Sequence, residues 1–284
     1  MVFSPSLAEF LLFQPSRGDP GEPPPLSGIR GTAITLSTSD GVRIQAWWYE
    51  SKGKAPSAEG AELDSNVSPL RPAPAVLFLH GNAGDISNRT PLAEGLLREG
   101  LSVLLLEYRG YGGSEGRPSE EGLHLDALAG HAFLVEQVGD PDRIVVFGRS
   151  MGGAVAAHLA AELPSAGLVL EASFTSLEGM GRIVYPILPG FFFHRLRGCF
   201  STLDWVRQVE VPLLVIHGTD DEIVPMHFGQ ELLAAGREPK DWFSVEGAGH
   251  NDVYWVGGAS YFRRIGGFVG ECAEGGPLNE EPAP

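Results

Sequence analysis

The sequence predicts an α/β fold: a mostly parallel central sheet flanked by helices on both faces, with a short helical flap. Three observations carry this. Five short apolar runs, VLFLH (76–80), VLLLEY (103–108), IVVFG (144–148), LVLEA (168–172) and LLVIHG (213–218), are continuous rather than alternating, as in strands covered on both faces. The stretches between them are each long enough for a crossover helix. The 38 Gly and 22 Pro tell against a helical bundle and suit the many turns that join short strands.

Taken in order, residues 1–29 are expected as an N-terminal extended segment. MVFSPSLAEFLLF has a short apolar run with no preceding Lys or Arg and an interrupting Pro, so it reads as a docking segment rather than a signal peptide. Residues 14–28 are rich in Pro and Gly and should form a surface strap. One domain is expected over 30–270. It starts with a half-buried strand at 42–50, where Val42, Ile44, Ala46 and Trp48 share a face. Residues 53–74 lack apolar periodicity and read as a long mobile loop.

Helices are expected after Ser119, with Leu125, Leu128, Ala132 and Val135 at helical spacing, and after Ser150, with Val155, Leu159 and Leu163 in a row. The last gap between runs exceeds what one helix needs. Its excess, about 173–205, holds Met180, Ile183 and the triplet Phe191, Phe192 and Phe193, while Pro186 and Pro189 forbid a single long helix. It reads as a helical flap over the strand C-termini or as ordinary rim packing. Residues 271–284 read as a frayed acidic tail.

The formal net charge of −16 excludes function classes. It opposes binding to nucleic acid and to anionic lipid. No stretch of 18 apolar residues offers a membrane-spanning helix. Cys199 and Cys272 are far apart and fit no metal-ligand spacing, so no metal site is expected and a reducing, cytoplasmic setting is.

The motif G-x-S-x-G occurs twice, at Gly148–Gly152 and at Gly112–Gly116. In so Gly-rich a chain the motif needs its strand–turn–helix context. Ser150 follows a buried strand and opens a helix-forming run, whereas Ser114 lies in the loop YRGYGGSEGRP, with Pro118 ahead of the next helix. Ser150 is therefore the candidate nucleophile. It needs a base, and the base needs a carboxylate to orient it. His250, after the last strand-like segment and before the final helix, is the best base among eight histidines; His80 and His217 end buried strands and read as structural. The acid is expected between Ser and His in chain order, where Asp220, Asp221 and Glu222 stand side by side and chemistry alone leaves the choice open.

Phe78-Leu79-His80-Gly81-Asn82-Ala83-Gly84, Tyr108-Arg109-Gly110-Tyr111-Gly112, Gly148-Arg149-Ser150-Met151-Gly152-Gly153, His217-Gly218-Thr219-Asp220-Asp221 and Gly249-His250 occur in that order. Together they resemble the α/β-hydrolase superfamily over about residues 30–270. The branch most like it is the small-capped one with an HGNAG loop, which includes eukaryotic protein depalmitoylases and bacterial members of unassigned substrate. The resemblance implies an α/β-hydrolase fold and a serine hydrolase cleaving carboxylic esters or thioesters through Ser150, His250 and Asp221. Its H-G-x-x-D pattern selects Asp221, with Asp220 as runner-up. It also implies an oxyanion hole from the backbone N–H groups of Met151 and Asn82, and no cofactor.

Tyr111 and Phe191–Phe193 are candidate pocket residues for a short to medium acyl group. The expected partner is a small-molecule acyl ester or thioester; oligomeric state is left open. Three departures stand out: Glu107 where an Asp is expected, the insertion at 53–74, and no cysteine-rich or hydrophobic N-terminal anchor of the kind found on membrane-working relatives. The last tells against the depalmitoylase reading. The competing class is a binding protein on a hydrolase fold that has lost catalysis.

Overall fold

A computed structural model describes residues 13–53 and 72–275, with only the backbone of Phe191, Phe192 and Arg195. In chain order the elements are β1 (Gln14–Pro15), β2 (Thr32–Ser37), β3 (Arg43–Tyr49), β4 (Ala75–Leu79), β5 (Ala83–Gly84), α1 (Thr90–Arg98), β6 (Ser102–Leu106), α2 (Glu120–Val138), β7 (Ile144–Arg149), α3 (Met151–Glu162), β8 (Gly167–Glu171), α4 (Leu177–Val184), α5 (Thr202–Val206), β9 (Leu213–Gly218), α6 (Met226–Ala235), β10 (Lys240–Val245) and α7 (Val253–Glu274). The five apolar runs become β4, β6, β7, β8 and β9. They form the middle of an eight-stranded sheet of order β10-β9-β8-β7-β4-β6-β3-β2. All pairings are parallel except β3 on β6 and β2 on β3.

The runs are continuously apolar because each strand feeds two cores. Leu77, Leu79, Leu104, Leu106, Val146 and Leu170 point to the layer of α2, α3 and α6. Their neighbours Val76, Phe78, Val103, Leu105, Phe147 and Val169 point to the layer of α1 and α7. Period-two alternation therefore finds an apolar partner on either side. Beyond Arg43, β3 is also buried on both faces rather than half-buried: Ile44, Ala46 and Trp48 join the first layer, Trp47 and Tyr49 the second.

Ser119 caps α2 by accepting from the Gly122 N–H (3.1 Å), and Gly139 closes it in the left-handed region (φ +77°). The buried stripe differs from the expected one. It is Leu123, Ala127, Gly130, Leu134 and Val138, while Leu125, Leu128 and Val135 flank it and Ala132 is exposed. Both sets recur every three or four residues, so spacing alone could not choose between them. In α3, Val155 and Leu159 are buried, and Leu163 is the C-cap. The tail expected from 271 starts later, since α7 runs through Glu274. The expected docking segment before residue 13, most of the expected loop at 53–74 and the tail beyond 275 lie outside the described residues. Among the described residues no helix is long and apolar enough to cross a membrane.

One contact between helices gives the fold a pH response. His124 of α2 stacks on His158 of α3 (ring centroids 3.6 Å, planes 4° apart), and His158 meets Trp205 edge-on. Burial, then the His158 ring, pushes the pKa of His124 down to about 3. An unfolded chain takes up this proton near 6.5 and the folded chain does not. The contribution of His124 is therefore fully present above pH 6.5 and declines as pH falls from there towards 3. The urea midpoint is expected to drop on acidification through this window, and less steeply for His124→Asn. Parallel profiles for the two proteins would contradict it.

Candidate active site

The turn from β7 into α3 sets Ser150 at φ +52°, ψ −118°, a conformation that side chains rarely adopt. The Ser150 N–H holds it there by donating to the Glu171 carbonyl of β8 (2.8 Å). The glycines of the motif are steric necessities. A Cβ at Gly148 would lie 2.3 Å from the Gly152 carbonyl oxygen, and one at Gly152 would lie 2.0 Å from that of Leu79. The turn is strained because helix and strand are in backbone contact around it. Ser114, the second motif match, accepts from the Gln45 N–H (2.8 Å) and donates to the Glu107 carbonyl (3.1 Å), which pins a loop.

His250 Nε2 stands 3.1 Å from Ser150 Oγ, and its Nδ1 stands 2.8 Å from Asp221 Oδ2. An ionised carboxylate only accepts, so Nδ1 carries the proton and the Nε2 lone pair faces the serine. The structure thus brings Ser150, His250 and Asp221 together and leaves Asp220 exposed. The other oxygen of Asp221 accepts the Ile223 and Val224 N–H groups (2.9 and 2.7 Å). His217 approaches Oδ2 at 3.4 Å while its Nε2 is bonded to the Val224 carbonyl. Burial alone would raise the carboxyl pKa; the bonds to His217 and His250 outweigh it and hold Asp221 well below the usual carboxylate range. His250 and Asp221 are 6% and 9% exposed, so water competes little for these bonds.

Sequence reasoning missed the groups that hold the histidine loop. Arg149 is buried and donates to the His250 carbonyl (2.7 Å) and to Asn251 Oδ1 (3.2 Å). Its charge is met by Glu171 at 3.0 Å, and the Tyr261 hydroxyl hydrogen-bonds the other Glu171 oxygen. A signal was present: LVLEA ends a buried strand on an acid, and a buried acid needs a partner.

The HGNAG loop is built in the same manner. Glu107 is fully buried, with Oε1 3.1 Å from His80 Nε2 and Oε2 accepting the Ile86 N–H at 2.9 Å. The Asn82 carbonyl accepts from Tyr111 Oη (2.9 Å) and from the Gln14 N–H (3.1 Å). The strap is therefore more than a surface feature. Its β1 pairs with β5 inside the loop, and the Ser16 carbonyl accepts the Gly112 N–H (2.8 Å). These bonds fix the Asn82–Ala83 peptide plane, next to the one that carries the Asn82 N–H. Met151 opens α3, where the first N–H groups of a helix have no intrahelical acceptor.

A cavity of about 630 Å³ opens over Ser150 and His250. The flap helix α4 and its neighbours give it an apolar wall of Phe174, Leu177, Met180, Val184 and Leu196. Part of the expected flap thus lines the cavity, and Ile187 stands 95% exposed beside Val184 and Tyr185. Two expected pocket residues are corrected. Tyr111 is fully buried beneath the Asn82 loop, where burial raises its phenol pKa and keeps it a donor. Phe193 is buried against Gly181 and Arg182 on the inner side of the flap. Neither lines the cavity. The side chains of Phe191 and Phe192 lie outside the described residues.

A family model described as alpha/beta hydrolase fold matches residues 74–197. An uncharacterized protein of Mycobacterium tuberculosis is 41% identical over 86% of this chain and 80% of its own. The alpha/beta hydrolase domain-containing protein WAV2 of Arabidopsis thaliana is 34% identical over 81% of this chain and 75% of its own. The crystal structure of a Pyrococcus furiosus esterase superposes with a TM-score of 0.69, covering 92% of this chain and 97% of that one at 22% identity. At that identity the likeness shows the fold.

Proposed function

The chain belongs to the α/β-hydrolase family, and from that premise we propose that it is a serine hydrolase of carboxylic esters or thioesters, acting through an acyl-enzyme. The observation that carries this reading is the chain of contacts from Ser150 through His250 to Asp221, at 3.1 and 2.8 Å. His250 Nε2 takes the Ser150 proton as Oγ attacks the acyl carbonyl carbon. The Met151 and Asn82 N–H groups receive the oxyanion, each donor contributing about 3–4 kcal/mol to the transition state. The C–O or C–S bond to the leaving group then breaks, and His250 returns its proton to the departing oxygen or sulfur. Water, deprotonated by His250, cleaves the acyl-serine; the acid leaves and Ser150 regains its proton.

The flap wall of Phe174, Leu177 and Met180 suits an apolar acyl group. Neither Cys199 nor Cys272 takes part in a disulfide, which suits a cytoplasmic setting. A fluorophosphonate probe is expected to label the wild type and spare Ser150→Ala. Equal labelling of both would overturn the nucleophile. No labelling, with no turnover across a broad panel of esters, would favour a binding protein on the same fold.

A further inference from the structure

The cavity over Ser150 is charged in the opposite sense to the chain that contains it. The protein has 36 acidic and 20 basic side chains. Yet among the described residues no carboxylate lines the cavity, while Arg89 and Arg149 both do. The two arginines differ in kind. Arg149 is neutralised by Glu171 at 3.0 Å and spends its donors on the His250 loop. Arg89 has no such partner. Among the described residues no acid comes within ion-pair distance of it, and its single hydrogen bond runs from Nη2 to the Ala83 carbonyl. Its Nε is buried with no acceptor at all. Burial and the like charge of Arg149 press its pKa down from the ordinary value, and Glu107 and Asp85 offset this only at longer range.

The guanidinium is half-buried, and a buried Nε with no acceptor is costly unless something fills it. Arg89 immediately precedes α1 and bonds the loop that carries Asn82, so it faces the cavity from the side of the expected oxyanion hole. Asn88 and Gln14 line the cavity with it, as do the apolar flap residues. We propose that Arg89 is a specificity residue that binds an anionic group of the substrate, so that the preferred substrate is an ester or thioester with one apolar end and one carboxylate- or phosphate-like end. This rests on the serine-hydrolase reading and deepens it. The apolar end lies along Phe174, Leu177 and Met180, and the anion lies at Arg89. The carboxylate completes the guanidinium and forms a charge-assisted hydrogen bond with it at the cavity wall.

The test uses pairs that differ in one charge. On the leaving-group side these are the S-butyryl thioesters of 3-mercaptopropionate and of 3-mercaptopropionamide. On the acyl side they are monophenyl adipate and its terminal amide. Wild type is expected to show kcat/KM at least about tenfold higher for the charged member of one pair, and that pair tells which side of the scissile bond faces Arg89. Arg89→Gln should bring this ratio close to one, and Arg89→Lys should keep part of it. A merely structural role for Arg89 would lower both members of the pair alike and leave the ratio unchanged, which would overturn the proposal. A wild-type ratio near one in both pairs, with fluorophosphonate labelling intact, would overturn it too while leaving the serine hydrolase standing. Absence of labelling and of turnover would instead remove the reading on which it rests.

Discussion

Replacing Asp221 with Asn is expected to lower kcat by about 10⁴-fold with the fold intact, whereas Asp220→Asn should stay near wild type. The hydrogen bonds of the two carboxylates make the difference. Asp221 Oδ1 accepts two backbone N–H groups, from Ile223 and Val224. An Asn side chain keeps these only by placing its carbonyl oxygen there, which turns its NH2 towards His250 Nδ1. That amide donates, so the imidazole must accept at Nδ1 and carry its proton on Nε2. A protonated Nε2 facing Ser150 Oγ at 3.1 Å cannot take the serine proton. The variant would retain shape and lose the base. Asp220 is exposed and its Oδ1 accepts only from the Thr219 hydroxyl, so its charge is free to go. Turnover of a p-nitrophenyl ester by the two variants, with circular dichroism to verify folding, separates them. A large loss in Asp220→Asn with little in Asp221→Asn would exchange their roles.

The same comparison marks what a sequence can carry. The strands β4, β6, β7, β8 and β9 were legible because burial on both faces leaves a continuous apolar run. The edge strand β2, TAITLS, was not read: it is mostly exposed, and only Leu36 is buried, so it has little apolar pattern to detect. The turn at Ser150 was legible through Gly148 and Gly152, since backbone contact excludes every other side chain. Asp221 was legible by resemblance, while three adjacent carboxylates defeated chemistry alone. What stayed hidden depends on contacts far apart in the chain. Arg149 meets residues 101 and 102 positions away, and Gln14 reaches Asn82. Tyr111 belonged to a motif that lies near the site, yet its side chain points beneath the loop and not into the cavity. Arg89 shows no pattern at all, because one basic residue before a helix looks like any solvated charge until its missing partner is seen in three dimensions.

Gly152→Ala is expected to be the most damaging single methyl in the molecule. Its Cβ would sit 2.0 Å from the Leu79 carbonyl oxygen and 2.6 Å from that of His80. Both are backbone atoms, so no side chain can rotate out of the way. Relief requires α3 to lift off the end of β4, which is hydrogen-bonded to β6 and β7 on its two sides. Overpacking of this kind should destabilise by about 3 kcal/mol or more. Gly267→Ala is the internal control. Gly267 is exposed within α7, and nothing lies within 4 Å of the added Cβ. There the better helix propensity should stabilise by about 0.5–1 kcal/mol. Urea midpoints should therefore move in opposite directions for the same chemical change. A Gly152→Ala protein that unfolds at the wild-type midpoint would mean that α3 can retreat without cost. Its fluorophosphonate labelling would then decide the point: a retreat displaces Met151 from the carbonyl it is proposed to polarise, so a stable variant that still labels at the wild-type rate would remove the Met151 N–H from the oxyanion hole.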